Sequence, residues 1–412
     1  MGIEEQKQGS MDKSKLQSIT YVCPTNCVRR PIAELSSLLA EKRYSVNVAF
    51  PFSEACPTDQ WAPNKKLADS KKVKSILIPS YYLASLRYNI PKPWKLFGIL
   101  RKMFQSDIVH MWEYWYPINV VIIFYALLTG QRHKLIMTTD GFVGYSYKPQ
   151  EPRWLVPAFC LYTRTLGWFL FRIPGSLTTY GKAMLSFAKE ARVPKSKLEV
   201  LGTGIHLDRF QSVSSKEVDK LREEFNLNLN DQVLLYLGML SERKGIATIV
   251  EITKRLLKSG WRGKAIIVGD AHGNEDFLSL VPLELKERII FPGGRSDVPT
   301  FMNLADCLLI PSEGEGLPGV VMEAMAAGTA CVATNEGCTP DLIDNAVNGF
   351  LVQYGDVDGY EKAVRSVLKD PKKYGNAAFL KIKEFSWEEV VKKYENLYYK
   401  IFDKPVGDSN AR

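Results

Sequence analysis

Short apolar runs alternate with amphipathic stretches through the first two hundred residues. SITYVCP (18–24), VNVAF (46–50), VKSILIP (73–79), DIVHMW (107–112), KLIMTT (134–139), SLTTY (176–180) and KLEVLG (197–202) have the length and composition of buried strands. PIAELSSLLAEKRY (31–44) repeats its apolar residues at helical spacing behind a proline, and further helices are expected near 92–105, 118–129 and 181–191. From Gln232 the alternation restarts. QVLLYLG (232–238), KAIIVG (264–269), RIIFPG (288–293), DCLLIPS (306–312), ACVAT (330–334) and GFLV (349–352) are strand runs, with helices near 245–258, 318–327 and 357–369. Strands alternating with helices predict parallel sheets covered on both faces, so the chain is expected to be α/β with two doubly wound, Rossmann-like domains. The expected division is a mobile segment 1–16, an N-terminal domain 17–205 and a C-terminal domain 206–385. Residues 386–412 then supply a helix, WEEVVKKYENLYYKIF, that packs back on the first domain, and a tail. The polar stretch 203–231 joins the halves. Such sheets bind ligands outside the carboxyl ends of their strands, here in a cleft between two halves.

Two apolar stretches raise the question of a membrane. Tyr114 to Gln131 gives 18 uncharged residues, but Pro117, Asn119, Gly130 and Gln131 interrupt it. A span needs about 20 mostly apolar residues, so this stretch is expected to be a buried helix packed on a sheet. The segment 153–172 interleaves Trp154, Phe159, Tyr162, Trp168, Phe169 and Phe171 with Arg153, Arg164 and Arg172. That pattern fits both a core-facing helix and a helix lying in a membrane interface.

Composition narrows the classes. With 412 residues, 46% hydrophobic and 24% charged, the chain is globular rather than disordered. Residues 1–200 hold 28 Lys/Arg against 14 Asp/Glu, whereas residues 201–412 hold 26 against 31. Only the first half therefore invites an anionic surface or substrate. No finger, RNP-like or basic-helix motif is present, so nucleic acid is not expected as a partner, which leaves an anionic membrane leaflet or a solvated basic face with no specific partner. The seven cysteines form no ladder of pairs, and Cys23-x3-Cys27 lacks the second pair a zinc site needs. The polar start MGIEEQKQGSMDKSK has no apolar core of a signal peptide. A cytoplasmic protein, peripheral on the membrane's cytoplasmic face, is the expectation.

The strongest local pattern is PSEGEGLPGVVMEAMAAGTACVAT (311–334). A strand ends at Pro311, a glycine-rich turn follows, and a helix begins around Pro318. The first amides of that helix, at Gly319 and Val320, precede its hydrogen-bond ladder and form a ready phosphate site. Glu315 in the turn and Glu323 in the helix lie eight positions apart. Two carboxylates beside an anion site suit hydrogen bonding to sugar hydroxyls.

EGLPGVVMEAMAAG resembles the E-x7-E region of family 4 retaining glycosyltransferases with the GT-B fold. GCTPDLI (337–343), NGFLV (348–352) and FSWEEVVKKY (385–394) share that resemblance, which is specific through roughly 200–400 and weaker before it. The resemblance implies that Glu315 contacts donor-sugar hydroxyls near the reacting face and that Glu323 holds the ribose. The amides of Gly319 and Val320 would then help bind the diphosphate, and Gly316, Leu317 and Pro318 would join them in binding the donor. LLYLGMLSERKGI (234–246) is similar to the family's strand–G-R-L-x-x-x-K-G loop, which brings Gly238, Arg243 and Lys244 to the donor. Lys244 falls on the family's Lys, and Met239 stands where the family has Arg. A growing diphosphate charge needs such cations, and they act without a metal.

The N-terminal half departs further from the family. PTNCVRRP (24–31) replaces a glycine-rich loop, and Arg29 and Arg30 bring charge there. MTTDGFVGYSY (137–147) places Asp140 where the family often has a donor-contacting His, as a residue that orients a hydroxyl or acts as a base. His110 and Glu113, in DIVHMWEYW, complete the acceptor-side set. The expected activity is metal-independent, retaining transfer of a hexose to a glycan or lipid-phosphate-linked acceptor in cell-surface polysaccharide or glycoprotein glycan assembly. The donor is a nucleotide diphosphate sugar, UDP- or GDP-linked, and no cofactor is called for. A non-catalytic nucleotide-sugar-binding or scaffold protein of the same fold is the alternative.

Overall fold

A computed structural model describes residues 16–25, 28–55, 72–83, 88–146, 155–271, 277–314 and 316–403. The expectations placed on 1–15, Cys27, Cys56, Arg153, Trp154 and Glu315 lie outside the described residues. The chain forms two compact units. Unit 1 takes the described residues up to Thr179, then Ala188–Leu201 and the chain from Val391; unit 2 takes Tyr180–Phe187 and Gly202–Val390. The divisions therefore fall at 201/202 and 390/391 rather than 205/206 and 385/386. Ile205 bridges Ser386, and Trp387 N donates to Ile205 O at 3.1 Å, which draws both segments into unit 2.

Unit 1 contains β1 (Ser18–Val22), α1 (Arg30–Lys42), β2 (Ser45–Phe52), β3 (Val73–Leu83), β4 (Tyr88–Pro91) and α2 (Pro93–Met103). There follow β5 (Ile108–Trp112), α3 (Pro117–Leu128), β6 (Leu135–Thr139), α4 (Leu155–Tyr162), β7 (Ser176–Thr179) and β8 (Leu198–Val200). The sheet order is β4-β3-β2-β1-β5-β6-β7-β8, parallel except for the β3–β4 pair. β5 and β6 are buried at every position, as strands covered on both faces must be. α1 buries Ile32, Leu35, Ser36 and Leu39, the one-sided stripe its sequence carries. Two expectations change. The run expected at 153–172 is α4, a π-helical turn at Thr163–Gly167 and a final turn to Leu170. α3 is not a buried helix: it covers Ile118, Ile122, Ile123 and Ala126 and leaves Val121, Phe124 and Leu128 exposed.

Unit 2 contains α5 (Ser215–Glu224), β9 (Gln232–Leu237), α6 (Ile246–Lys258), β10 (Gly263–Val268), β11 (Ile289–Gly293), α7 (Val298–Leu304) and β12 (Cys307–Ile310). Next come α8 (Gly319–Ala327), β13 (Ala330–Thr334), β14 (Gly349–Val352), α9 (Val357–Lys369), α10 (Pro371–Ile382) and α11 (Trp387–Phe402), the last of which continues into unit 1. The strand order is β11-β10-β9-β12-β13-β14, all parallel. The polar stretch 203–231 is not merely a joint, because α5 lies in it under a capping box between Ser214 and Glu217.

Candidate functional site

In each sheet the strand order reverses at one place, and that reversal opens a crevice at the carboxyl ends. In unit 2 it lies between β9 and β12, so the loops 238–245 and 311–318 meet there. Gly238 has φ +151° and Gly245 φ +69°, and these values turn the first loop sharply before α6 begins. A Cβ on Gly245 would stand 2.5 Å from the carbonyl oxygen of Pro311, so the two loops touch backbone to backbone. Arg243 Nη1 donates to the carbonyls of Glu313 at 2.6 Å and Gly314 at 3.3 Å, while Glu313 N donates to Arg243 O at 2.8 Å. Arg243 therefore shapes the glycine-rich turn, a positioning part that its place in the sequence did not announce. Lys244 lies beside it in the single 3-10 turn Glu242–Lys244.

The glycine-rich turn is held from its other side by a residue sequence reasoning missed. Glu336 Oε2 accepts from Gly314 N at 2.7 Å, and Gly316 O accepts from Cys338 N at 2.8 Å. Glu336 belongs to no motif singled out in the sequence, whereas Cys338 lies in GCTPDLI (337–343); both arrive because β13 lies next to β12. Pro318 caps α8 in an extended conformation, and Val321 N donates to Pro318 O at 3.1 Å. Gly319 and Val320 thus occupy the first two positions of the helix, ahead of its ladder, with the helix dipole behind them. Gly319 is exposed and a Cβ there would meet nothing, so a ligand can approach its backbone closely. Leu317 and Glu323 are half-buried. The hydroxyl of Ser312, at the end of β12, is buried without a hydrogen-bond partner among the described residues.

In unit 1 the reversal lies between β1 and β5, and it gathers three of the residues singled out from the sequence. Arg29 precedes α1 on the loop after β1, Glu113 follows β5 and Asp140 follows β6. Arg29 Nη1 donates to Glu113 Oε1 at 3.0 Å and to Asp140 Oδ2 at 2.8 Å. Glu113 has φ +69°, a left-handed conformation that costs a residue with a Cβ about 1–3 kcal/mol. Asn119, from the first turn of α3, restrains the distortion by donating to the carbonyls of Trp112 and Glu113 at 2.6 and 2.7 Å. Glu113 is 1% exposed and Asp140 is 47% exposed, so one carboxyl is internal and the other faces outward.

Burial pushes the Glu113 carboxyl up to about 8; the Asp140 carboxylate adds to the push and Arg29 opposes it. The hydrogen-bond geometry agrees. Thr139 Oγ1 lies 2.8 Å from Glu113 Oε2 and 2.5 Å from Gly141 O, and its single proton cannot serve both acceptors. A protonated Glu113 donating to Thr139 Oγ1 resolves the conflict.

His110 leaves the acceptor-side set. It is fully buried, its Nδ1 is 2.8 Å from the hydroxyl of Tyr398 and its Nε2 is 2.7 Å from that of Thr138. Burial drives its pKa down to about 3, which keeps the ring neutral. It is a core residue clamped by α11. Arg30 is exposed at the start of α1. Among the described residues no group of three or more His, Cys, Asp and Glu is placed to hold a metal ion.

Two doubly wound α/β units of this kind define the GT-B architecture. A glycosyltransferase from Rickettsia africae has the same fold, with a TM-score of 0.74 at 18% identity, covering 95% of this chain and 100% of that one. Residues 217–378 match the family described as "Glycosyl transferases group 1". The N-acetyl-alpha-D-glucosaminyl L-malate synthase of Bacillus anthracis is 26% identical over 45% of this chain and 50% of its own. The UDP-Gal:alpha-D-GlcNAc-diphosphoundecaprenol alpha-1,3-galactosyltransferase of Escherichia coli is 27% identical over 44% and 48% respectively. The chain spans about half the length of these two relatives.

Proposed function

We propose that the protein is a retaining glycosyltransferase moving a hexose from a UDP- or GDP-linked sugar to a glycan or lipid-phosphate-linked acceptor, without a metal. The observation that carries this reading is the meeting, at the unit 2 strand reversal and inside the matched segment 217–378, of the loop that bears Lys244 with the glycine-rich turn that leads into α8. Cation and amides supply the charge that a departing diphosphate needs, and the two terminal phosphates of such a group fit a helix N-terminus. Glu315 is assigned to the donor-sugar hydroxyls and Glu323 to the ribose. The names of the relatives in Bacillus and Escherichia support sugar transfer, and the second supports a UDP donor and a lipid-diphosphate acceptor.

On the acceptor side, Asp140 is the exposed carboxylate able to orient or deprotonate a hydroxyl. Arg29 and Glu113 hold it in place. Met239, 51% exposed where the family has Arg, favours the second reading of a non-catalytic nucleotide-sugar binder.

The test is turnover with UDP- and GDP-sugars, together with the melting temperature in UDP and GDP. The reading expects a rise in melting temperature with one nucleotide. Lys244→Ala and Glu315→Gln should each lower turnover by about 100-fold or more. A nucleotide-induced rise without turnover would favour the binder; no rise with either nucleotide would overturn both readings.

A further inference from the structure

The outward sides of α2, α3 and the run 155–170 carry large apolar side chains that helices on a sheet ordinarily bury. On α2, Trp94 and Phe97 are 67% and 70% exposed. On α3, Val121, Phe124 and Leu128 follow one another at helical spacing along a single stripe, and Leu128 is 84% exposed. Leu161, Trp168 and Phe169 are exposed on 155–170. Ring contacts join these helices into one surface: Phe97 meets Tyr125 of α3 at 6.2 Å and Phe124 meets Phe169 at 5.9 Å. Single exposed apolar residues need no explanation, but a connected aromatic surface does.

The charges on the same elements are of one sign. α2, α3 and 155–170 contain Lys95, Arg101, Lys102 and Arg164 and not one Asp or Glu. Arg172, just beyond, lies 3.9 Å from the centre of the Trp168 ring. Tryptophan and phenylalanine rings settle at the depth of lipid headgroups, and lysine and arginine stems reach outward from there to phosphates. A second copy of this face would bring cation against cation with no acid to meet it. No helix among the described residues is long and apolar enough to cross a bilayer, so contact is along the helices rather than through them.

We infer that the α2–α3 face, continued by 155–170, docks the protein on an anionic phospholipid surface. Trp94, Phe97 and Leu128 enter the headgroup layer and Lys95, Arg101 and Lys102 pair with lipid phosphates. The inference stands apart from the donor chemistry proposed above, since it involves no residue of the unit 2 loops.

Sedimentation of the full chain with vesicles tests it, using phosphatidylcholine and phosphatidylglycerol in equal parts against phosphatidylcholine alone. The protein should pellet with the anionic vesicles, less so as salt rises. Lys95→Ala with Arg101→Ala and Lys102→Ala should lower the partition coefficient on the order of 100-fold. Trp94→Ser with Phe97→Ser should lower it about tenfold, as should Leu128→Ser made alone. The side chains are outward-facing, so unchanged thermal unfolding in each variant verifies that the fold is intact. Equal recovery with neutral vesicles, or unaltered binding by folded variants, overturns the inference. So does a wild-type dimer, seen by light scattering, that the Trp94/Phe97 variant dissolves. A nucleotide-induced rise in melting temperature, measured on the same samples, is expected to persist in all variants and reports on the donor site separately.

Discussion

Arg243 and Glu313 hold one another twice, side chain to carbonyl at 2.6 Å and amide to carbonyl at 2.8 Å. Through this pair the loop after β9 fixes the shape of the loop after β12, on which the glycine-rich turn and the start of α8 depend. Hydrogen bonds from a charged donor are worth roughly 1.5–3 kcal/mol. Arg243→Ala should therefore raise KM for the nucleotide sugar about tenfold or more, while kcat changes far less. A residue that gripped the diphosphate in the transition state would instead lower kcat. Arg243→Lys, which keeps the charge and one donor group, should recover part of the loss.

Glu113 gives a pH dependence of defined sign. Its folded-state pKa is raised, to about 8, so its contribution is fully present below the ordinary glutamate range and is lost as pH rises through 8. Glu113→Gln keeps the shape without the titration. Urea unfolding between pH 5 and 9 should show the wild type losing stability, by at most about 1.4 kcal/mol per pH unit, relative to the variant. Asp140→Asn removes a carboxylate that helps raise Glu113, so the loss of stability with rising pH should be smaller and should end at a lower pH. Parallel curves for wild type and Glu113→Gln would mean that Glu113 does not hold its proton.

Much of this was legible beforehand, and the reason is the parallel sheet. Strands buried on both faces are continuous apolar runs, which is why β1, β5, β6, β9 and β12 stand out in the sequence. β4 did not, because Tyr88–Pro91 is a short edge strand containing a proline. α5 and α10 were missed although each carries a start signal, the Ser214–Glu217 box and the Asp370–Pro371 pair. In α5 a largely charged composition outweighed the signal. Arg29, Glu113 and Asp140 could each be picked out, but their convergence depends on β1, β5 and β6 lying side by side. His110 misled for the complementary reason: the hydroxyl that satisfies it belongs to Tyr398, 288 positions away.

His110 should govern acid sensitivity. Its folded-state pKa is lowered to about 3, so the stability it confers is complete above the usual histidine pKa near 6.5 and is lost as pH falls toward 3. His110→Gln cannot take up a proton in this range. It is expected to cost stability at pH 7, through the loss of contacts to Tyr398 and Thr138, yet to show a shallower decline between pH 6.5 and 4. The difference in slope approaches about 1.4 kcal/mol per pH unit. Chemical unfolding at a series of pH values measures it, and identical slopes would contradict a neutral buried ring.

Gly245 carries the most exacting backbone requirement of the donor loop. Its φ of +69° is left-handed, and an added Cβ would lie 2.5 Å from the Pro311 carbonyl oxygen. Gly260, in the turn after α6, is also left-handed at +85° but has nothing within 4 Å of a Cβ. Both alanine substitutions incur the conformational cost of about 1 kcal/mol or more. Only Gly245→Ala must also push the loops after β9 and β12 apart. It should lose markedly more stability than Gly260→Ala in urea unfolding and shrink the nucleotide-induced rise in melting temperature. Gly260→Ala should leave that rise intact. Equal effects of the two substitutions would show that the close approach of Gly245 to Pro311 has no bearing on the donor site.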